Sequence, residues 1–144
     1  MQHVPVREVM TQELVTIASD LPVDVALETM RSNNIRRLPV VSATGRVVGI
    51  LTLYDALLAT RQESDDFMSA VVARMPTVKD AMTANVVTIG PDDSVARAAR
   101  IMTRHKIGGL PVVEDRKIVG IVTESDLFRY LANILEPEED QETA

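Results

Sequence analysis

The sequence predicts a mixed α/β (α+β) chain: two tandem βαββα-type repeats packed on each other about a pseudo-two-fold axis. Three observations predict it. The chain contains an internal duplication, each copy alternates apolar stripes of helical spacing with short β-branched runs, and a polar stretch separates the copies.

The duplication holds a constant offset of 72 through the first part of each copy. Val6-Arg-Glu-Val-Met-Thr11 falls on Val78-Lys-Asp-Ala-Met-Thr83, Val15-Thr16-Ile17 on Val87-Thr88-Ile89, and Leu38-Pro-Val-Val41 on Leu110-Pro-Val-Val113. The second copy is one residue shorter in its turn. Beyond it Val48-Gly49-Ile50 meets Val119-Gly120-Ile121, Thr52 meets Thr123 and Asp55 meets Asp126. Roughly twenty identities over about forty-six positions exceed what chance gives.

Each element follows in order. A short helical turn opens each copy, and a strand comes next around Val15–Ile17 and Val87–Ile89. Pro22 is placed to open a helix at its first position, and Ser94 is placed as the N-cap of the partner helix. Val23, Ala26, Leu27 and Met30 fall at i, i+3, i+4 and i+7, as do Val95, Ala98, Ala99 and Met102. Leu38–Val41 and Leu110–Val113 read as buried strands, Thr44-Gly45 and Asp115-Arg116 as hairpin turns, and Val47–Leu51 and Ile118–Val122 as returning strands. Leu53–Thr60 and Glu124–Leu135 close the copies as helices. The predicted organisation is a first domain over 1–60, a linker over 61–76, a second domain over 77–135 and an acidic disordered tail over 136–144. A unit of about sixty residues buries too little surface to be stable alone, so the copies are expected to pack together and leave ligand-sized clefts where they meet.

Composition narrows the function. Five of the 21 acids lie in the tail from Glu136, so the remainder holds 16 acids against 15 bases and is nearly neutral. No clustered Lys/Arg face suits a phosphate backbone, and nucleic acid is not an expected partner. The absence of cysteine excludes disulfides, thiolate chemistry and Cys-type zinc sites. His3 and His105 have no companions that would complete a metal set, and no nucleophile is placed beside a base, so neither a metal site nor a catalytic site is expected. No apolar run approaches a membrane span, and a cytoplasmic location follows by default. Aromatic residues make up only 3%, so any binding wall would be aliphatic.

The most informative stretches are Gly49-Ile50-Leu51-Thr52-Leu53-Tyr54-Asp55 and Gly120-Ile121-Val122-Thr123-Glu124-Ser125-Asp126. In each a strand ends in Thr and a helix begins. A hydroxyl beside unpaired helix N-terminal N–H groups suits an anion, and an Asp one turn later can accept two hydrogen bonds from a vicinal diol. The preceding Gly admits a ligand or another strand close to the backbone. Thr followed three residues later by Asp is equally a capping pattern, and both readings stay open at this point.

With these motifs, Leu-Pro-Val-Val before each hairpin and the Val-Met-Thr and Ala-Met-Thr openings, the chain resembles a tandem pair of cystathionine-β-synthase (CBS) domains from about Val4 to Leu135. The resemblance implies a regulatory module that is not an enzyme and requires no cofactor. Its clefts would take AMP, ADP, ATP or S-adenosylmethionine. It further implies one site of Thr123, Asp126 and Ile121, walled by Met10, Val15 and Ile35, and another of Thr52, Asp55 and Ile50, walled by Met82, Val87 and Ile107. Arg36 stands where the second copy has Gly108, and a guanidinium there would favour phosphate oxygens. A homodimer is expected from the resemblance, together with a separate effector protein. The apolar stripes are also expected to be too many for one core. The rival reading is a ligand-free dimerisation or scaffold module whose Thr-x-x-Asp motifs only cap helices.

Overall fold

Helix signals act first and locally. In the computed structural model, which describes residues 3–61 and 75–137, α1 (Val23–Asn33) and its counterpart α4 (Val95–His105) form on the predicted stripes. Ser94 caps α4 by accepting from Arg97 N at 3.0 Å. Pro22 lies at the N-cap of α1 rather than at its first helical position, and it offers no side-chain acceptor. Both helices end on a left-handed residue, Asn34 (φ 53°) and Lys106 (φ 55°). Asn tolerates that conformation better than Lys does.

The strands lie where β-branched residues cluster. β1 (Ile17–Ala18) pairs in parallel with β2 (Arg37–Val41), which pairs antiparallel with β3 (Val47–Thr52). β4 (Gly109–Glu114) and β5 (Lys117–Thr123) repeat the hairpin, and Ile89 bridges Val112 in parallel where β1 has its equivalent. Gly45 takes φ 83° in the first turn, whereas Asp115 and Arg116 are both left-handed (φ 52° and 67°), as a two-residue type I′ hairpin demands. Pro111 costs the sheet nothing. Its carbonyl accepts from Ile89 N (3.1 Å) and the Ile89 carbonyl accepts from Val113 N (2.9 Å), so no ladder bond calls for a proline N–H.

Three helices complete the described elements: α2 (Leu53–Thr60), the short α3 (Val78–Ala81) and α5 (Glu124–Leu135). α3 corresponds to a 3-10 turn at Val6–Glu8 in the first copy.

Repeats and compact units divide the chain differently. One unit is Val15–Val86, here the central unit; the other joins Met1–Leu14 to Val87–Ala144, here the terminal unit. Each therefore contains the opening turn of the other copy. In the terminal unit Val6 N donates to Asp93 O (2.8 Å), Arg7 N to Pro91 O (2.9 Å) and Val95 N to Val4 O (2.8 Å). The central unit answers with Val78 N to Leu21 O (2.8 Å), Lys79 N to Ser19 O (2.9 Å) and Val23 N to Pro76 O (2.9 Å). Val6 and Val78 are wholly buried, each in the core of the unit it joins. Burying one valine is worth about 1.5–3 kcal/mol, which anchors each turn. Arg7 adds ion pairs to Asp92 and Glu114, but these are exposed and contribute little.

The central core gathers Val23, Ala26 and Met30 of α1 with Leu38, Val40 and Leu51 of the sheet, and Leu27 packs against it. The α1 stripe faces this core while Ala98 and Met102 of α4 lie in the other, so, as expected, the two stripes do not share one core. Surplus apolar surface sits on the closing helices, where Tyr54, Leu57 and Leu58 of α2 and Phe128, Leu131, Ile134 and Leu135 of α5 are exposed. Most of the expected linker (61–76) and acidic tail (136–144) falls outside the described residues. Among the described residues no helix is long and apolar enough to cross a membrane, and no group of His, Cys, Asp or Glu could hold a metal ion.

Candidate functional site

The two Thr-x-x-Asp motifs end the two hairpins, one in each unit. Each is flanked by the Met-Thr pair of the other copy. In the terminal unit Thr11 N donates to Ile121 O (2.8 Å) and Ile121 N returns to Thr11 O (3.0 Å). In the central unit Thr83 and Ile50 make the same exchange at 2.9 and 3.0 Å. The motif glycine permits that approach. A Cβ on Gly120 would stand 2.8 Å from Met10 Sδ and 3.0 Å from Thr11 O, and one on Gly49 would meet Met82 Sδ and stand 2.9 Å from Thr83 O. The motif glycine thus admits the bridged Met-Thr segment of the other copy.

In the central unit Thr52 is the N-cap of α2, and its Oγ1 accepts from Asp55 N at 3.1 Å. The cap stops there. The half-buried Asp55 carboxylate has no side-chain or backbone partner among the described residues. Leu53 N donates to Arg36 O at 2.7 Å, which sets Arg36 beside the start of α2; its guanidinium is exposed and makes no ion pair among the described residues. Val15, Ile35 and Met82 pack against the core of this unit, and half-buried Ile50 stands two residues before Thr52 on the same face of β3. This unit therefore offers an acceptor, a cation and aliphatic side chains at the start of α2, where the Leu53 and Asp55 N–H groups are already paired.

The terminal unit uses the same residue types differently. Thr123 caps α5, its Oγ1 accepting from Asp126 N (3.3 Å), while Asp126 Oδ2 accepts from Thr123 N (2.9 Å) and from Thr123 Oγ1 (3.1 Å). Asp126 Oδ1 accepts from Thr11 Oγ1 (3.1 Å) and from Arg129 Nη1 (3.3 Å). At 4% exposure Asp126 is the buried charged residue among those described, and these partners satisfy the charge that burial would otherwise penalise. Met10, Val87 and Ile107 pack against the core of this unit, and Ile121 is half-buried.

Met82 stands beside the Thr52–Asp55 motif and Met10 beside the Thr123–Asp126 motif, while Val15 and Ile35 pack in the central unit and Val87 and Ile107 in the terminal unit. Thr11 was not singled out from the sequence as a site residue. The signal available was the repeated Met-Thr pair, which marked the duplication but not a contact with Asp126.

A cavity of about 600 Å³ lies elsewhere in the terminal unit, between α4 and α5. Val95, Ala99, Met102, Phe128, Leu131 and Ile134 line it, and Ile107 is the predicted site residue that reaches it.

Comparison with known proteins completes the description. The profile of the CBS domain matches residues 6–61 and 78–133. A CBS domain-containing protein of Dictyostelium discoideum is 38% identical over 138 residues, 92% of this chain and 94% of that one. Homoserine O-acetyltransferase of Methanohalobium evestigatum is 31% identical over 132 residues, 91% of this chain but only 25% of the enzyme. Among solved structures, the CBS domain pair of protein MJ0100 in complex with 5′-methylthioadenosine and S-adenosyl-L-methionine superposes with a TM-score of 0.77 at 30% identity, covering 92% of this chain and 99% of that one. CBSX2, an Arabidopsis thaliana protein, in complex with AMP gives 0.78 at 29% identity, with coverage of 92% and 99%. Two consecutive profile matches, a full-length relative and the shared fold agree: the chain belongs to the CBS domain family, as a tandem pair.

Proposed function

We propose that the chain is a regulatory module that senses an adenosine-containing ligand (AMP, ADP, ATP or S-adenosylmethionine) and passes its occupancy to a separate effector protein. The observation that carries this reading is Asp55. A carboxylate that only capped its helix would accept from Thr52 N, as Asp126 does from Thr123 N; Asp55 accepts nothing from Thr52 and keeps both oxygens for a diol. The complexes of similar CBS pairs with AMP and with S-adenosylmethionine support the ligand class. We assign Ile50, Val15, Ile35 and Met82 to the base, Asp55 to the ribose, and the Thr52 hydroxyl to phosphate or its equivalent. Arg36 would add a charge-assisted contact that favours the more highly phosphorylated ligand. The corresponding assignment in the other unit is Ile121, Val87, Ile107, Met10, Asp126 and Thr123. The complete capping box at Thr123–Asp126 favours the scaffold reading for that motif.

Thermal unfolding of the full chain against AMP, ADP, ATP and S-adenosylmethionine tests the reading. A ligand present at one hundred times its Kd adds about 2.7 kcal/mol, and Asp55→Ala should remove most of that gain. Arg36→Ala should lower affinity for ATP more than for adenosine. No shift with any of these ligands would leave only the scaffold. The exposed apolar residues of α2 and α5 further suit a homodimer, and sedimentation equilibrium showing a monomer at micromolar concentration would refute it. Any signal to the effector is bounded by the ligand's differential affinity for the two states it distinguishes.

A further inference from the structure

We propose that Thr11 and Arg129 hold the Thr123–Asp126 motif in a self-occupied state, so that the two motif sites are unequal and the Thr52–Asp55 site takes a ligand diol first. The inference deepens the adenosine reading above and rests on it. The acceptors of Asp126 are spoken for on both sides. Oδ2 serves Thr123 N and Thr123 Oγ1, and Oδ1 receives the Thr11 hydroxyl at 3.1 Å and Arg129 Nη1 at 3.3 Å. A threonine hydroxyl donating to a carboxylate is the same chemistry that a ribose hydroxyl would bring, so Thr11 occupies the acceptor position a diol needs. Before a diol could bind, the Thr11 bond must break, and the Arg129 contact must loosen around a side chain that is 3% exposed.

The central unit lacks both restraints. The counterpart of Thr11 is Thr83, which shares the strand bridge to Ile50 but whose hydroxyl does not bond Asp55. The counterpart of Arg129 is Leu58, which cannot donate. Among the differences between the copies, Leu58 against Arg129 is the one that adds a donor to the carboxylate of one motif and not the other. Duplication supplied two motifs; this pair of contacts makes one of them answer to the chain itself.

Calorimetric titration of the full chain with AMP tests the proposal. Two binding events separated by about tenfold or more are expected, equivalent to about 1.4 kcal/mol per decade. Asp55→Ala should abolish the tighter event. Thr11→Val and, separately, Arg129→Leu should each tighten the weaker event severalfold or more. Equal affinities in the wild type, survival of the tighter event in Asp55→Ala, or a weaker event indifferent to both other variants would overturn the proposal. A ligand-free measurement separates it from the reading beneath it. In urea unfolding, Thr11→Val and Asp126→Asn should be non-additive, with Thr11→Ser retaining the coupling. Coupling without binding of AMP or any other adenosine ligand would sink the sensor reading while the Thr11–Asp126 hold stands. Binding without coupling would remove the hold and leave the sensor.

Discussion

At Gly120 and Gly49 the absence of a side chain has a definite geometric use. A Cβ on Gly120 would meet a methionine sulfur, which can swing aside, and the Thr11 carbonyl oxygen at 3.0 Å, which is fixed by its bond from Ile121 N. Gly120→Ala should therefore destabilise by about 1–3 kcal/mol through local overpacking, read as a lowered urea midpoint with unchanged m-value. An alanine variant as stable as the wild type would mean that the Met10–Thr11 segment is not held against β5. The motif glycine, threonine and aspartate were all legible in the sequence because their roles are local: a strand end, a cap and a residue one turn on. Thr11 was not legible as a partner of Asp126. The two stand 115 positions apart, and no local pattern brings a surface threonine to a distant carboxylate.

Among the elements, helix starts separate the two copies more than helix bodies do. α3 opens with a capping box in which Asp80 accepts from Thr77 N (2.9 Å), whereas the first copy has Pro5 in the cap position with no side-chain bond. The backbone N–H of Thr77, then its hydroxyl, hold the Asp80 carboxyl below its ordinary range against the opposing effect of desolvation, with Lys79 adding least. A carboxyl depressed in this way gives stability that is complete above its unfolded pKa and is lost as pH falls through the folded value. The opening of α3 should accordingly be intact at neutral pH and fray only below the usual aspartate range. The Thr77 amide proton should report this as an acid titration that Asp80→Asn abolishes. An unchanged titration in that variant would assign the effect to another group. Periodicity located the bodies of α1 and α4, and the closing helices expected after each Thr occupy Leu53–Thr60 and Glu124–Leu135. The start of α1 shifted by one residue because Pro22 keeps an extended backbone (ψ 149°), which makes it the N-cap and leaves Val23 as the first helical residue.

For the whole molecule the consequential feature is that neither compact unit is built from one repeat. This could not be read from the duplication. Val6 and Val78 sit in nearly the same local sequence, so a repeat of constant offset satisfies the hydrophobic pattern whether each opening turn packs in its own copy or in the other. Packing decides it, and the choice has a measurable consequence. A fragment beginning at Thr77 would keep every strand and long helix of the terminal unit but lose Val6, wholly buried in its core, together with Met10 and the Thr11 carbonyl that receives Ile121 N. It would also leave the Ile121 backbone groups without the partners they have in the full chain, which costs more than leaving them exposed in an unfolded state if the edge stays desolvated. The fragment should be largely unfolded by near-UV circular dichroism and amide exchange. A synthetic peptide covering residues 1–14 should restore protection at Ile121 when added in excess, and one carrying Val6→Ala should do so less well. A second repeat that folded cooperatively without the peptide would show that its own core suffices. The motif of one copy would then not depend on the opening turn of the other, and the contact between Thr11 and Asp126 could be lost without consequence for the fold.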